Sequence, residues 1–223
     1  MLRGIIFDVD GTLIDSNRAH ASSWSDTLAE AGYEIPTEII LPMVGMGGDK
    51  LLPAVTGIES DSEAGVKLSK RRWEIFVANY LSALQPTPGA RDLVKRLKDD
   101  GLDIVVATSA GGGESRILTE AAGVADLIEE ATSSSDAEES KPDPDIVQAA
   151  VRKSGREPGE LVMIGDTPYD IEAAIGAHVA IVALTCGGWS REHLSMAARV
   201  YADPAEVLVW YERDPRMLAA LVD

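Results

Sequence analysis

Asp8 and Asp10 stand one residue apart, behind the apolar run Gly4-Ile5-Ile6-Phe7 and ahead of Gly11-Thr12. The run has the length and β-branched content of a short buried strand. That reading puts Asp8 at the strand's C-terminal end and Asp10 in the loop just beyond, where open α/β sheets bind ligands. Two carboxylates this close repel each other, so the pair favours a bound cation or a shared proton. An Asp-Gly turn with both aspartates in water accounts for the stretch equally well. Three later stretches decide between the two: Thr108-Ser109 with the glycines that follow, Lys141-Pro142, and Gly165-Asp166-Thr167-Pro168-Tyr169-Asp170.

Each of these lies beyond an apolar segment. Asp103 to Ala107 reads as a buried strand, and the hydroxyls of Thr108 and Ser109 lead through Gly111-Gly112-Gly113 to a helix start. Hydroxyls, free backbone N–H groups and a positive helix end together suit a phosphate. The glycine run itself matches neither a P-loop nor a dinucleotide fingerprint. Pro142 keeps Lys141 in a loop. Leu161 to Ile164 reads as a strand that delivers Asp166, with Asp170 four residues on. Any one of these groups fits an ordinary solvated turn; four in order, each at a strand end, do not. As a set they serve phosphoryl transfer. Asp8, Asp166 and a backbone carbonyl at Asp10 could hold Mg2+, a hard cation that takes oxygen ligands. The metal and Lys141 would neutralise the phosphate and the charge that develops on it. One aspartate can attack phosphorus and the other can move protons. Hydrolysis of a phosphate monoester can need acceleration of up to roughly 10^21-fold, so positioning and electrostatics must act together.

The elements that position these groups alternate helix and strand from Pro86-Thr87-Pro88-Gly89 onward. Helices are expected at 89–100, to about Ala122, from Asp143 (N-cap) and Pro144, up to Gly176, and in two pieces after Pro204. Strands are expected at 103–107, near Leu127 to Ala131, at 161–164 and at Val179 to Leu184. Thr132 to Ser140 is polar and expected to be mobile. The alternation implies a parallel sheet covered on both faces. Residues 16–85 interrupt it with helices only. One spans about 16–32, with Ser16 as its cap and Ala19, Trp24, Leu28 and Ala31 on its apolar side; His20 on it reads as a surface or half-packed histidine. A second spans about 61–83 with Leu68, Trp73, Phe76, Val77, Tyr80 and Leu84 inward, and its Lys67, Lys70, Arg71 and Arg72 read as a solvated face. The expected division is a core of 1–15 plus 86–223 and a helical insert of 16–85.

The chain has 223 residues, 45% of them hydrophobic, and a formal net charge of −17. Nucleic acid is excluded as a partner, because phosphate backbones need clustered Lys and Arg. An anionic substrate must be drawn by a local cation. The single cysteine, Cys186, permits no internal disulfide and fits a reducing compartment. No apolar run approaches the roughly 20 residues of a membrane span. The N-terminus resembles no signal peptide, and a cytoplasmic location is expected.

Asp8-Val9-Asp10-Gly11-Thr12, Thr108-Ser109, Lys141-Pro142 and Gly165-Asp166-x-x-x-Asp170 together resemble the four motifs of the haloacid dehalogenase superfamily, across nearly the whole chain. The resemblance implies a Rossmann-like doubly wound core with an inserted all-helical cap that sets specificity. It implies Asp8 as nucleophile, Asp10 as general acid/base, Thr108, Ser109 and Lys141 as phosphate ligands, and Mg2+ among Asp8, Asp10 and Asp166 with Asp170 in its outer shell. Members that cleave carbon–halogen or carbon–phosphorus bonds lack the second aspartate; Asp10 therefore favours phosphate esters. Asp15-Ser16-x-x-x-His20-x-x-x-Trp24 and Val44-Gly45-Met46-Gly47-Gly48 are similar to the phosphoglycolate phosphatase and β-phosphoglucomutase subgroup, which points to His20, Gly47 and Lys50 as cap residues facing a small phosphorylated metabolite. The mutase carries an arginine in that cap loop, and Gly45 to Lys50 has none. The implied activity is a Mg2+-dependent phosphatase working through an aspartyl-phosphate. A sugar-phosphate mutase is the near alternative, and a receiver-like phospho-signalling module the alternative of another class.

Overall fold

A computed structural model of the chain describes residues 1–133 and 136–222. The chain divides into two compact units, Met1–Asp15 with Gln85–Asp223, and Ser16–Leu84. The strands are β1 (Gly4–Phe7), β2 (Asp103–Ala107), β3 (Glu130–Thr132), β4 (Leu161–Gly165), β5 (Ala180–Leu184) and β6 (Arg199–Tyr201). The helices are α1 (Asn17–Glu30), α2 (Thr37–Ile40), α3 (Gly48–Thr56), α4 (Glu63–Asn79), α5 (Ala90–Asp99), α6 (Gly112–Ala121), α7 (Asp145–Ser154), α8 (Pro168–Gly176), α9 (Pro204–Arg213) and α10 (Arg216–Ala219).

In the first unit the described strands form one sheet in the order β3-β2-β1-β4-β5-β6. All pairs are parallel. A parallel sheet buries both faces, which is why β1, β2, β4 and β5 read as continuous apolar runs and not as alternating ones. Ile6, Val105, Met163 and Ile181 pack with Ile146 and Val147 of α7 and Ile171 and Ala174 of α8. Burying a side chain of this size contributes about 1.5–3 kcal/mol. This is an α/β fold with a Rossmann-like doubly wound sheet. The chain leaves β1 towards β2 and β3 on one side and returns to β4, β5 and β6 on the other, so the strand order reverses beside β1, where such sheets open a crevice. Register does the rest. Phe7 pairs with Val106 and with Ile164, so Asp8, Thr108 and Asp166 emerge near one level.

The second unit is all helical. Its core joins Ala21, Trp24 and Leu28 of α1 to Ile40, Val44, Leu51 and Leu52, with Leu68 of α4 against them. Among the described residues no helix is long and apolar enough to cross a membrane.

Several local expectations change. Ser16 takes the N-cap position of α1 without a side-chain cap bond, and Ala31 lies exposed beyond its end. The buried face of α4 is Gly65, Ile75 and Phe76, while Val77 points to water. The strand expected near 127–131 is the shorter β3, because Leu127 N–H closes a turn on the Val124 carbonyl first. Helix α7 starts after Pro144, whose carbonyl accepts the Gln148 N–H, while the Asp143 N–H is spent on the Ser140 carbonyl. Strand β6 leaves no signal in the sequence: it is three residues long, with a polar first residue and no period to see. The mobility expected of Thr132 to Ser140 falls partly on Ser134 and Ser135, which lie outside the described residues.

Candidate active site

The first loop is wound tightly. The Val9 carbonyl accepts the N–H groups of Leu13 (2.8 Å) and Ile14 (3.1 Å), and Gly11, at φ 78°, donates to the Ile14 carbonyl at 2.8 Å. That left-handed turn costs a glycine little and any β-branched residue a great deal. It sends Thr12 back towards β4, where its hydroxyl donates to Asp166 Oδ1 at 3.1 Å. The Thr12 carbonyl in turn accepts the Thr87 hydroxyl at 2.6 Å. Asp8 is buried, and Asp10 half-buried.

Lys141 is the centre of the cluster. It is 1% exposed, and Nζ donates to Asp8 Oδ1 at 2.5 Å and to the Ala107 carbonyl at 2.9 Å, with Asp170 Oδ1 at 2.7 Å. Two of these contacts are hydrogen bonds and the third, to Asp170, is an ion pair, so the ammonium, a donor of three protons, keeps capacity for a further acceptor. Burial works against the charged ammonium, but Asp170 and Asp8 outweigh it and hold the Lys141 pKa above its ordinary range. Burial is also the largest influence on Asp8. Lys141 opposes it, Asp170 and Asp10 reinforce it, and the carboxyl is pushed up to about 7. One lysine among Asp8, Asp166 and Asp170 leaves an excess of negative charge in a buried place.

Asp170 is fixed from the start of α8. Its Oδ2 accepts from the N–H groups of Asp166 (3.2 Å) and Thr167 (3.0 Å) and from the Thr167 hydroxyl (2.7 Å), while Thr167 Oγ1 accepts the Asp170 N–H at 3.1 Å. This is a capping box, and one carboxylate oxygen is spent on it. A Cβ at Gly165 would lie 2.7 Å from Asp170 Cγ, so only glycine lets β4 pass this close. Asp8, Asp166 and Asp170 each offer a carboxylate oxygen within 4.8 Å of the others. Hard oxygen donors with surplus negative charge suit a divalent cation such as Mg2+.

Thr108 follows β2. It is buried, its N–H donates to the Thr132 carbonyl at 3.2 Å, and its Oγ1 accepts the Ala110 N–H at 3.1 Å. Ser109 is half-buried. Gly111 is the N-cap residue of α6. Beyond β5, Cys186 donates its thiol to the Gly11 carbonyl at 3.1 Å. Burial, and after it the charge of Asp166, pushes that thiol up to about 12, so it is no nucleophile near neutrality.

The cap candidates lie in the helical unit. His20 is buried and stacked on Phe76 with ring centres 4.3 Å apart, a correction to its reading as a surface or half-packed residue. The basic run of α4 also divides. Lys67 pairs with Glu63, and Arg71 with Glu30 and Glu74, at the surface. Arg72 instead lies over Trp24 and Trp73, with Nη1 3.4 Å from His20 Nδ1. Gly47 is the N-cap of α3, and Lys50 is half-buried in its first turn.

The cluster thus joins Asp8, Lys141, Asp166 and Asp170 by direct contact. Sequence reading gives no role to Thr12, Thr167 or the Ala107 carbonyl. Thr167 was findable, since Thr-x-x-Asp at a helix start is a capping pattern.

Residues 5–184 match the family described as haloacid dehalogenase-like hydrolase. The chain belongs to that family. A phosphoglycolate phosphatase of Rhodospirillum rubrum is 30% identical over 220 residues, covering 94% of this chain and 91% of the relative. Among solved structures, a hydrolase from Pseudomonas syringae is 28% identical with a TM-score of 0.87, covering 96% of this chain and 99% of that one. A β-phosphoglucomutase from Clostridium difficile shares the fold, with a TM-score of 0.83 at 19% identity over 96% of each chain. This haloacid dehalogenase-like protein is a hydrolase of the phosphatase type.

Proposed function

We propose that the enzyme hydrolyses a small phosphate monoester, of the phosphoglycolate or sugar phosphate kind, with Asp8 as nucleophile. The observation that carries this is the buried contact of Lys141 with Asp8 and Asp170, on an acidic cluster that can hold a divalent ion. A carboxylate oxygen of Asp8 attacks phosphorus, and the bond from phosphorus to the ester oxygen breaks. Asp10 gives that oxygen its proton, so the alcohol leaves neutral. Asp10 then takes a proton from water, the water oxygen bonds to phosphorus, and the bond from phosphorus to the Asp8 oxygen breaks, releasing inorganic phosphate and the Asp8 carboxylate. Lys141, Thr108 and Ser109 hold phosphoryl oxygens. Asp8, Asp10 and Asp166 would hold Mg2+, with Asp170 in its outer shell, and the ion when bound supplies positive charge against the phosphoryl group. The helical unit selects the substrate through His20, Gly47 and Lys50, with Arg72 beside His20.

The absence of an arginine in Gly45–Lys50 disfavours a mutase. A panel of phosphorylated metabolites assayed for free phosphate is the direct test; it is expected to yield turnover of a small ester. Hexose 1-phosphate converted to the 6-phosphate without free phosphate would make the protein a mutase instead.

The Asp8 carboxyl predicts a proton linkage. With its pKa near 7 in the metal-free protein, binding of a cation must displace a proton below that pH. Mg2+ affinity is expected to rise up to about tenfold per pH unit below 7 and to level off above it. Calorimetry in buffers of different ionisation enthalpy counts the protons released; none at pH 6 would remove Asp8 from the metal's ligands.

A further inference from the structure

Two glycines follow β5, and opposite physics requires them. Gly188 has φ +102° and open space around it, so its conformation calls for glycine. Gly187 has no left-handed φ. There the space calls for it: a Cβ would stand 1.7 Å from Asp166 Oδ2, 2.4 Å from Cγ and 2.7 Å from Cβ. No flexible tip can swing aside to admit it, because the obstacle includes the root of the aspartate itself. The same carboxylate receives the Thr12 hydroxyl on Oδ1 at 3.1 Å. Asp166 is therefore gripped on one oxygen and walled on the other. The wall belongs to a short 3₁₀ turn, Thr185–Gly187, that Cys186 ties to the first loop through the Gly11 carbonyl.

We infer that Gly187 is a positioning residue: the missing side chain sets the orientation in which Asp166 presents its carboxylate to a divalent cation. The inference rests on the proposed role of Asp166 as a metal ligand. It adds the turn after β5 to the strand ends that build the site. Asp166 has no other way to keep this rotamer if a methyl group stands where its Oδ2 now lies.

Gly187→Ala is the test, read with Mg2+ alone by titration calorimetry and by the melting temperature of the metal-free protein. At least a tenfold loss of Mg2+ affinity is expected, with a lowered melting temperature. In an Asp166→Ala background the same substitution is expected to cost no melting temperature, because the clashing partner is gone and the two effects are not additive. Equal melting losses in both backgrounds would overturn the inference, as would wild-type Mg2+ affinity in the single variant. Should Gly187→Ala fail to fold, recovery of folding in the Asp166→Ala background supports the contact and continued failure overturns it. A wild-type protein that binds no Mg2+ would instead remove the metal reading, leaving the double-mutant cycle to judge Gly187.

Discussion

Asp8→Asn is expected to lower the rate of phosphate release by about 10^4-fold or more, the scale on which enzymes lose activity with their nucleophile. The amide is nearly the size of the carboxyl, so the loss reads chemistry and not collapse. Lys141 keeps its ion pair with Asp170 and its hydrogen bond to the Ala107 carbonyl in this variant. Asp10, the proposed acid–base group, stays as well. Stability has its own sign. A carboxyl whose folded-state pKa is raised favours the fold below its unfolded value near 4, and that contribution is lost as pH rises through about 7. At pH 8 the metal-free wild type holds Asp8 ionised against its environment, and the variant is spared that cost. Turnover of an aryl phosphate and a thermal melt, both at pH 8, check the pair of expectations. A variant that retains turnover ends the nucleophile assignment. A wild-type phosphoprotein that persists for minutes after labelling would move the protein towards the signalling alternative, since an enzyme of this kind must discharge its intermediate.

The parts of this molecule that were legible in the sequence are those in which one physical demand acts on a contiguous stretch. Strands β1, β2 and β4 lie in the middle of the sheet, must be apolar on both faces, and so announce themselves as Ile-Ile-Phe, Ile-Val-Val and Leu-Val-Met-Ile. The aspartates and the lysine stand directly behind them or in a loop fixed by proline. Short edge strands obey a weaker demand: β3 and β6 need only one partner and a few apolar contacts, so the first is legible only with displaced bounds and the second leaves no period to read. Contacts between distant stretches were closed to sequence in a different way. Arg72 looks like its neighbours on α4, and only the packing of α1 on α4 separates it from Arg71, which is taken by Glu30 and Glu74. Thr12 and Asp166 are 154 residues apart, so nothing local joins them. Gly187 and Gly188 look alike as letters, and the space on one side of the first distinguishes them.

Lys141→Met is expected to damage the fold as well as the reaction. Methionine fills nearly the same volume, so the packing survives and only the charge goes. What remains is a buried set of carboxylates, Asp8, Asp166 and Asp170, within 4.8 Å of one another. Removing one partner of a buried ion pair costs about 3–5 kcal/mol, because the surviving charge is stranded in a poor solvent. For a chain of this size that corresponds to a fall in melting temperature of roughly 6–20 °C. Asp8, which burial already pushes up to about 7, escapes by taking a proton, so the deficit should shrink as pH falls from 8 to 5, and excess Mg2+ should shrink it too by restoring positive charge. Adding Asp170→Asn should recover much of the stability without recovering turnover, since it removes repulsion but supplies no cation to the phosphoryl group. Thermal melts of the two variants across that pH range, with and without Mg2+, separate the roles. If Lys141→Met melts with the wild type at every pH, the lysine does not hold the cluster together, and its buried position has another cause. If the double variant regains turnover, the charge of Lys141 serves the fold alone, and the phosphoryl oxygens find their cation elsewhere.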